Sequence, residues 1–108
     1  MFIVGGFNAY PAEIENALLE HPDIQQAAVV GVPDERLGEV GMAFVVVRPD
    51  SPTSAGDIAL WSRERMANYK VPRRVEVVDE LPVNATGKVV KDVLRQRALG
   101  HVEGATTT

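Results

Sequence analysis

The amino-acid sequence predicts an α+β domain of two layers, with a small N-terminal hairpin and a three-stranded sheet flanked by about three helices. Three observations carry this. Strand-like apolar runs alternate with helix-period segments in the order β-β-α-β-β-α-β-α. Two of the runs, "QQAAVVGV" and "GMAFVVVRP", are separated only by turn residues, as in an antiparallel pair. The whole chain is 108 residues with 45% apolar and 24% charged residues, enough for one modest core.

Phe2 to Val4 reads as a short strand stopped by Gly5-Gly6, and Asn8 to Tyr10 can fold back on it. Pro11 suits the first turn of a helix, where its missing N–H is no loss, and Glu13 and Glu15 complement the positive end of its dipole. Ile14, Ala17 and Leu18 share one face, and the helix is expected to end near His21-Pro22. After the central strand pair, "SPTSAG" is a loop that caps the helix "DIALWSRERMANY", with Ile58 and Trp61 facing the sheet. Pro72 stops it, and "RRVEVVDEL" is the third strand. The last element, from about Val90 to Ala98, places Val90, Val93, Leu94 and Arg97 on one side, and residues 99–108 read as a flexible tail after a domain of residues 1–98. An apolar strand at the very first residue is what a piece cut from a longer protein would show.

Composition removes several function classes. A net charge of -4, with 11 basic residues scattered among 15 acidic ones, is the wrong balance for a nucleic-acid binder. No cysteine means no disulfide, no thiolate metal site and no thiol nucleophile, which fits a reducing cytoplasm. No run approaches the ~20 apolar residues of a membrane span, and "MFIVGG" has neither the basic n-region nor the apolar length expected of a signal peptide. No metal-ligand spacing appears, and His21 and His101 read as solvated. "NATGKVV" lacks the first glycine of a nucleotide-binding phosphate loop and has Val89 where a Mg²⁺-binding hydroxyl is required, so that reading is excluded. Two glycine sites remain. Gly5-Gly6 is either a plain tight turn or a place where a ligand passes close to bare backbone. Lys88 follows Gly87 and is either a surface lysine or an ammonium on a glycine hinge, aimed at carboxylate or phosphate oxygens.

Three segments, "IVGGFNAYPAEIE", "VVGVPDERLGEVGMAFVVV" and "NYKVPRRVEVVDELPVNATGKVVKDVLR", stand in this order and at these spacings. Together they resemble the C-terminal domain of ATP-dependent acyl-CoA synthetases, in the adenylate-forming superfamily, over Phe2 to about Ala98. The resemblance implies a lid to a large N-terminal adenylating domain. That partner would hold ATP, Mg and the carboxylic acid (a fatty acid or a related one), and coenzyme A would be the acceptor. It implies that Lys88 is the adenylation lysine, and that Gly5, Gly6 and Phe7 line the channel for coenzyme A. The chain begins just past the position of the family's hinge, so the isolated chain is expected to be inactive and to bind none of these molecules tightly. Two positions depart from the family pattern: Val83-Asn84 stand where a lysine commonly follows the proline, and Lys91 stands where arginine is frequent. A free-standing, non-catalytic binding or oligomerisation module is the alternative.

Overall fold

A computed structural model describes the backbone of residues 1–107 and the side chains of residues 1–99. Its elements are β1 (Phe2–Val4), β2 (Phe7–Ala9), α1 (Pro11–Leu18), β3 (Ile24–Asp34), β4 (Gly38–Val47), α2 (Ala55–Arg65), a 3₁₀ turn (Asn68–Lys70), β5 (Arg74–Val77) and α3 (Lys91–Thr107). The α+β class and the element order are those expected. The N-terminal hairpin and the main sheet are continuous, because Val4 of β1 pairs with Gly38 of β4. β4 is therefore the spine of the sheet. β3 runs antiparallel along one edge of it, while β1 and β5 share the other.

The third strand breaks the antiparallel pattern of the central pair, since β5 runs parallel to β4, pairing Met42–Val45 with Arg74–Val77. The reason lies in the connection. α2 and the 3₁₀ turn fill the segment between the two strands and bring the chain back to run in the same direction, as a parallel pair requires. Ser54 caps α2 as the loop composition suggested, in a full capping box with Asp57.

Helices cover both faces of the sheet. Val29, Ala43 and Val45 meet Ile14 and Leu18 of α1 and Ile58 of α2. Val30, Val32, Met42 and Phe44 meet Leu94 and Ala98 of α3. Successive strand residues point to opposite faces, so these alternating sets define two cores and α3 adds a layer on the far side. An irregularity between Ile24 and Gln26 shifts the parity and lets Ile24 join the α1 side with Val29.

Two helix stripes and one strand boundary shift from the sequence reading. In α2 the fully buried pair is Ile58 and Ser62, at i and i+4, with Trp61 only partly covered. Ser62 is accommodated because its hydroxyl donates to the Ile58 carbonyl at 2.8 Å. In α3 the buried pair is Leu94 and Ala98, while Val93 is 49% exposed and Arg97 lies on the surface, paired with Glu76 at 2.6 Å. Counting branched apolar residues drew the stripe through Val93, whereas the small Ala98 fits closest to the sheet. α3 also continues past Ala98 to Thr107. β3, finally, runs through Pro33, which the sequence assigned to a turn. β3 is an edge strand whose Val29 N–H faces away from β4 to meet Glu15, and position 33 has the same parity. A missing N–H there breaks no ladder.

The loop linking α1 to β3 is fastened to the loop after β4. Thr53 Oγ1 donates to Asp23 Oδ2 at 2.9 Å, and Arg48 Nε donates to the Pro22 carbonyl at 3.0 Å. The hydrogen bonds from Thr53 and Ser51 hold the Asp23 carboxyl below its ordinary pKa of 3.8. A carboxylate with a lowered pKa in the folded state adds stability above the unfolded value and loses it as pH falls through the folded value. Acid titration followed by circular dichroism should therefore show a destabilising step below about pH 3.8, smaller in Asp23→Asn.

Candidate functional site

Lys88 sits on a small hairpin between β5 and α3. Val83 bridges Val89, the Asn84 N–H donates to the Lys88 carbonyl at 2.9 Å, and the Val90 N–H donates to the Pro82 carbonyl at 2.9 Å. Ala85, Thr86 and Gly87 form the loop. Its turn closes with Gly87 N–H to the Asn84 carbonyl at 3.0 Å, and Gly87 has φ +85°. This is the three-residue hairpin in which a left-handed residue follows the turn, and glycine is the residue that adopts it without strain. The Asn84 side chain completes it. Its Oδ1 accepts from Thr86 N–H (3.0 Å), Thr86 Oγ1 (2.7 Å) and Lys88 N–H (3.0 Å). Gly87 is thus part of a closed, hydrogen-bonded turn, not the loose hinge that the sequence suggested. The Lys88 side chain is exposed, and among the described residues no carboxylate pairs with its ammonium.

Gly5 and Gly6 make the β1–β2 turn with φ +56° and +90°. Val4 and Phe7 pair across it, which makes it a two-residue hairpin turn whose central positions both need positive φ. Gly5 also packs closely: its N–H donates to the Leu37 carbonyl at 2.9 Å, and a Cβ there would lie 3.1 Å from Leu37 Cδ2. A Cβ on Gly6 would meet nothing within 4 Å, so this turn presents bare backbone to open space. Phe7, 59% exposed, stacks on Tyr69 of the 3₁₀ turn with ring centroids 4.9 Å apart and planes 18° from parallel.

A cleft of about 310 Å³ opens beside this pair, lined by Val4, Gly5, Phe7, Leu37, Asn68, Tyr69 and Arg73. A second, of about 440 Å³, shares Leu37, Asn68 and Arg73 with it and adds Asp34, Arg36 and Val40. The surface is thus apolar and aromatic near the glycine turn and bears two guanidinium groups further along. Lys70 pins the 3₁₀ turn by an ion pair with Glu13 of α1, and this hydrogen bond holds the Lys70 pKa above its ordinary 10.5.

Gly5 and Phe7 line one cleft, Gly6 lies between them at the tip of the turn, and Lys88 belongs to a different hairpin that leads into α3. Sequence reasoning missed Tyr69 and the use of Arg73 and Arg36. The signal for Tyr69 was an aromatic residue directly before "KVPRR", which was assigned to the end of a helix. Among the described residues there is no group of three or more His, Asp or Glu placed to hold a metal ion, and no helix long and apolar enough to cross a membrane.

The fold and its two glycine turns define a domain class that comparison with known proteins establishes. Residues 13–88 match the family "AMP-binding enzyme C-terminal domain", and the chain belongs to that family. It is 54% identical over 96 residues, 89% of its length, to the 3-[(3aS,4S,7aS)-7a-methyl-1,5-dioxo-octahydro-1H-inden-4-yl]propanoyl:CoA ligase of Rhodococcus jostii, of which it covers 19%. It is 47% identical over 97 residues, 90% of its length, to a feruloyl-CoA synthase of an Amycolatopsis species, covering 20% of that protein. Among solved structures it resembles a Mycobacterium tuberculosis fatty acyl CoA synthetase, with TM-score 0.81, 41% identity, and 90% of this chain and 19% of that one covered. It also resembles ATP-bound MatB from Rhodopseudomonas palustris, with TM-score 0.85, 37% identity, and 90% and 19% covered. The chain spans about a fifth of the length of the curated relatives it matches.

Proposed function

We propose that this domain is the C-terminal lid of an ATP-dependent acid–CoA ligase of the cytoplasm, acting with a large N-terminal adenylating domain. Mg-ATP and a carboxylic acid would be held by that partner. In the first half-reaction a carboxylate oxygen attacks the α-phosphorus of ATP and pyrophosphate leaves. In the second, the thiol sulfur of coenzyme A attacks the acyl carbonyl carbon and AMP leaves. Lys88 serves the first step: its ammonium lies near the carboxylate and phosphate oxygens and counters charge that builds in the transition state. Gly5, Gly6 and Phe7 serve the second, lining the passage for the pantetheine arm. By itself the chain supplies one cation and one channel wall, so it is inactive alone.

The observation that carries this reading is the Lys88 hairpin. An exposed ammonium with no carboxylate partner among the described residues sits on a loop closed by the three hydrogen bonds to Asn84, which is the arrangement expected of a charge delivered to another surface. The glycine turn supports the second role, because Gly5 lines a cleft with an apolar end and arginines beyond it, and Gly6 beside it presents bare backbone to open space. That gradient suits an acceptor with a slender arm and an anionic head.

The test is a half-reaction comparison in a full-length ligase carrying this domain. Asn tolerates positive φ, so Gly6→Asn adds bulk while keeping the turn. It should slow thioester formation from preformed acyl-adenylate about tenfold or more, on the scale of a misplaced reacting group, and leave adenylation unchanged. Normal coenzyme A kinetics in that variant would refute the channel role.

A further inference from the structure

We propose that Glu15 is a positioning residue for Lys88, acting through Lys91 across the free edge of the sheet. The inference rests on the adenylation role given to Lys88 above. α1 and α3 lie over opposite faces of the sheet, each packed against β3, the strand at its outer edge. Glu15 Oε2 stands at that edge. It accepts the outward Val29 N–H at 2.8 Å and lies 2.7 Å from Lys91 Nζ. Among the described residues this is the only ion pair joining α1 to α3.

Lys91 is the first residue of α3 and ends the segment that carries Lys88, three positions before it. A cation at a helix N-terminus opposes the helix dipole, so Lys91 contributes nothing favourable to α3 by its place alone. Its use is the tether. The Glu15 side chain is 18% exposed, and the pair is screened less than one at the open surface. Without it, the base of the Lys88 hairpin is held by the Val83–Val89 bridge, the Val90–Pro82 hydrogen bond and the packing of Val89 beneath. Those contacts close the hairpin on itself and on the α3-side core; Glu15 ties it to β3 and α1. A lysine that must meet oxygens in a neighbouring domain within hydrogen-bond distance is sensitive to a displacement of about 1 Å, which can lower a rate by up to ~10²-fold.

The experiment uses a full-length ligase carrying this domain, in four forms: Glu15→Gln, Lys91→Met, the double variant, and Lys88→Ala as the reference. Glutamine still accepts the Val29 N–H and removes only the charge. Ferulate and a medium-chain fatty acid serve as trial acids, with adenylation read by pyrophosphate release and thioester formation read from supplied acyl-adenylate. Glu15→Gln is expected to slow adenylation about fivefold to thirtyfold, with thioester formation within about twofold of the parent. The double variant should be no slower than Lys91→Met, because the two residues act as one unit. Independently of any acid, hydrogen exchange of the peptide spanning residues 82–91 should quicken in Glu15→Gln while that of β4 stays unchanged. Equal loss in both half-reactions, additive single effects, or unaltered exchange at 82–91 would overturn the proposal. If Lys88→Ala itself spares adenylation, the role of Lys88 falls and the positioning proposal with it; if Lys88→Ala is impaired and Glu15→Gln is not, only the positioning proposal falls.

Discussion

Replacing Lys88 by alanine in a full-length ligase is expected to lower acyl-adenylate formation by about 10²-fold or more, the effect of removing one electrostatic stabiliser from a transition state. That corresponds to about 2.7 kcal/mol in the barrier. The site makes this a clean experiment. The hydrogen bonds that Lys88 gives the hairpin come from its backbone, N–H to Asn84 Oδ1 and carbonyl from Asn84 N–H, and both survive the substitution. Its side chain is exposed and, among the described residues, supports no neighbour through an ion pair, so folding stability should move by less than about 0.5 kcal/mol. Thioester formation from preformed adenylate should be nearly normal. Chemical denaturation together with separate assays of the two half-reactions checks all three expectations. A loss shared equally by both half-reactions would remove Lys88 from the role proposed.

Gly31→Val is expected to be the most damaging single change to the fold. Gly31 pairs with Gly41 across β3 and β4, and the ring of Phe2 lies over both. A Cβ at position 31 would stand 2.7 Å from Phe2 Cβ and 2.8 Å from Phe2 Cγ, and one at position 41 would stand 3.1 Å from Phe2 Cζ. The obstacle at position 31 is the root of the side chain, which cannot swing aside while β1 stays paired. Phe2 is only 4% exposed, so driving it out forfeits about 3–5 kcal/mol, the range for truncating a buried phenylalanine. That is a large part of a typical domain stability of roughly 5–15 kcal/mol. The midpoint in urea should fall accordingly, and Phe2→Ala combined with Gly31→Val should be little worse than Phe2→Ala alone. Since β1 leads directly into the Gly5-Gly6 turn, the full-length variant should lose thioester formation before it loses adenylation.

What could be read from the sequence was whatever its local chemistry decides. The loop "SPTSAG" announced a helix start, Pro11 announced another, and the paired glycines at 5 and 6 announced a tight turn. Lys88 and the glycine turn were singled out as candidate sites because each combines a turn with an unusual residue. The parts that stayed hidden depend on contacts between distant residues. Nothing near Gly31 says that Phe2 will lie across it, and nothing near β5 says that it will run parallel to β4. The α3 stripe was misread because Ala98, rather than the larger Val93, is what close packing against Phe44 and its neighbours admits. Tyr69 escaped because its importance is a stack on Phe7, a residue 62 positions away.

For the adenylation role proposed for Lys88, the three acceptor bonds of Asn84 have a consequence for the entropy of catalysis. Ordering a flexible loop at the moment a residue enters a site costs about 1–2 kcal/mol for each backbone unit fixed. In the segment 84–88 that ordering is already complete before any encounter, because one amide oxygen has gathered Thr86 and Lys88 around it. What remains to be frozen is the lysine's own four-carbon stem, about 2 kcal/mol of rotamer freedom. The hairpin therefore behaves as a rigid stalk, and only its tip has anything left to lose on arrival.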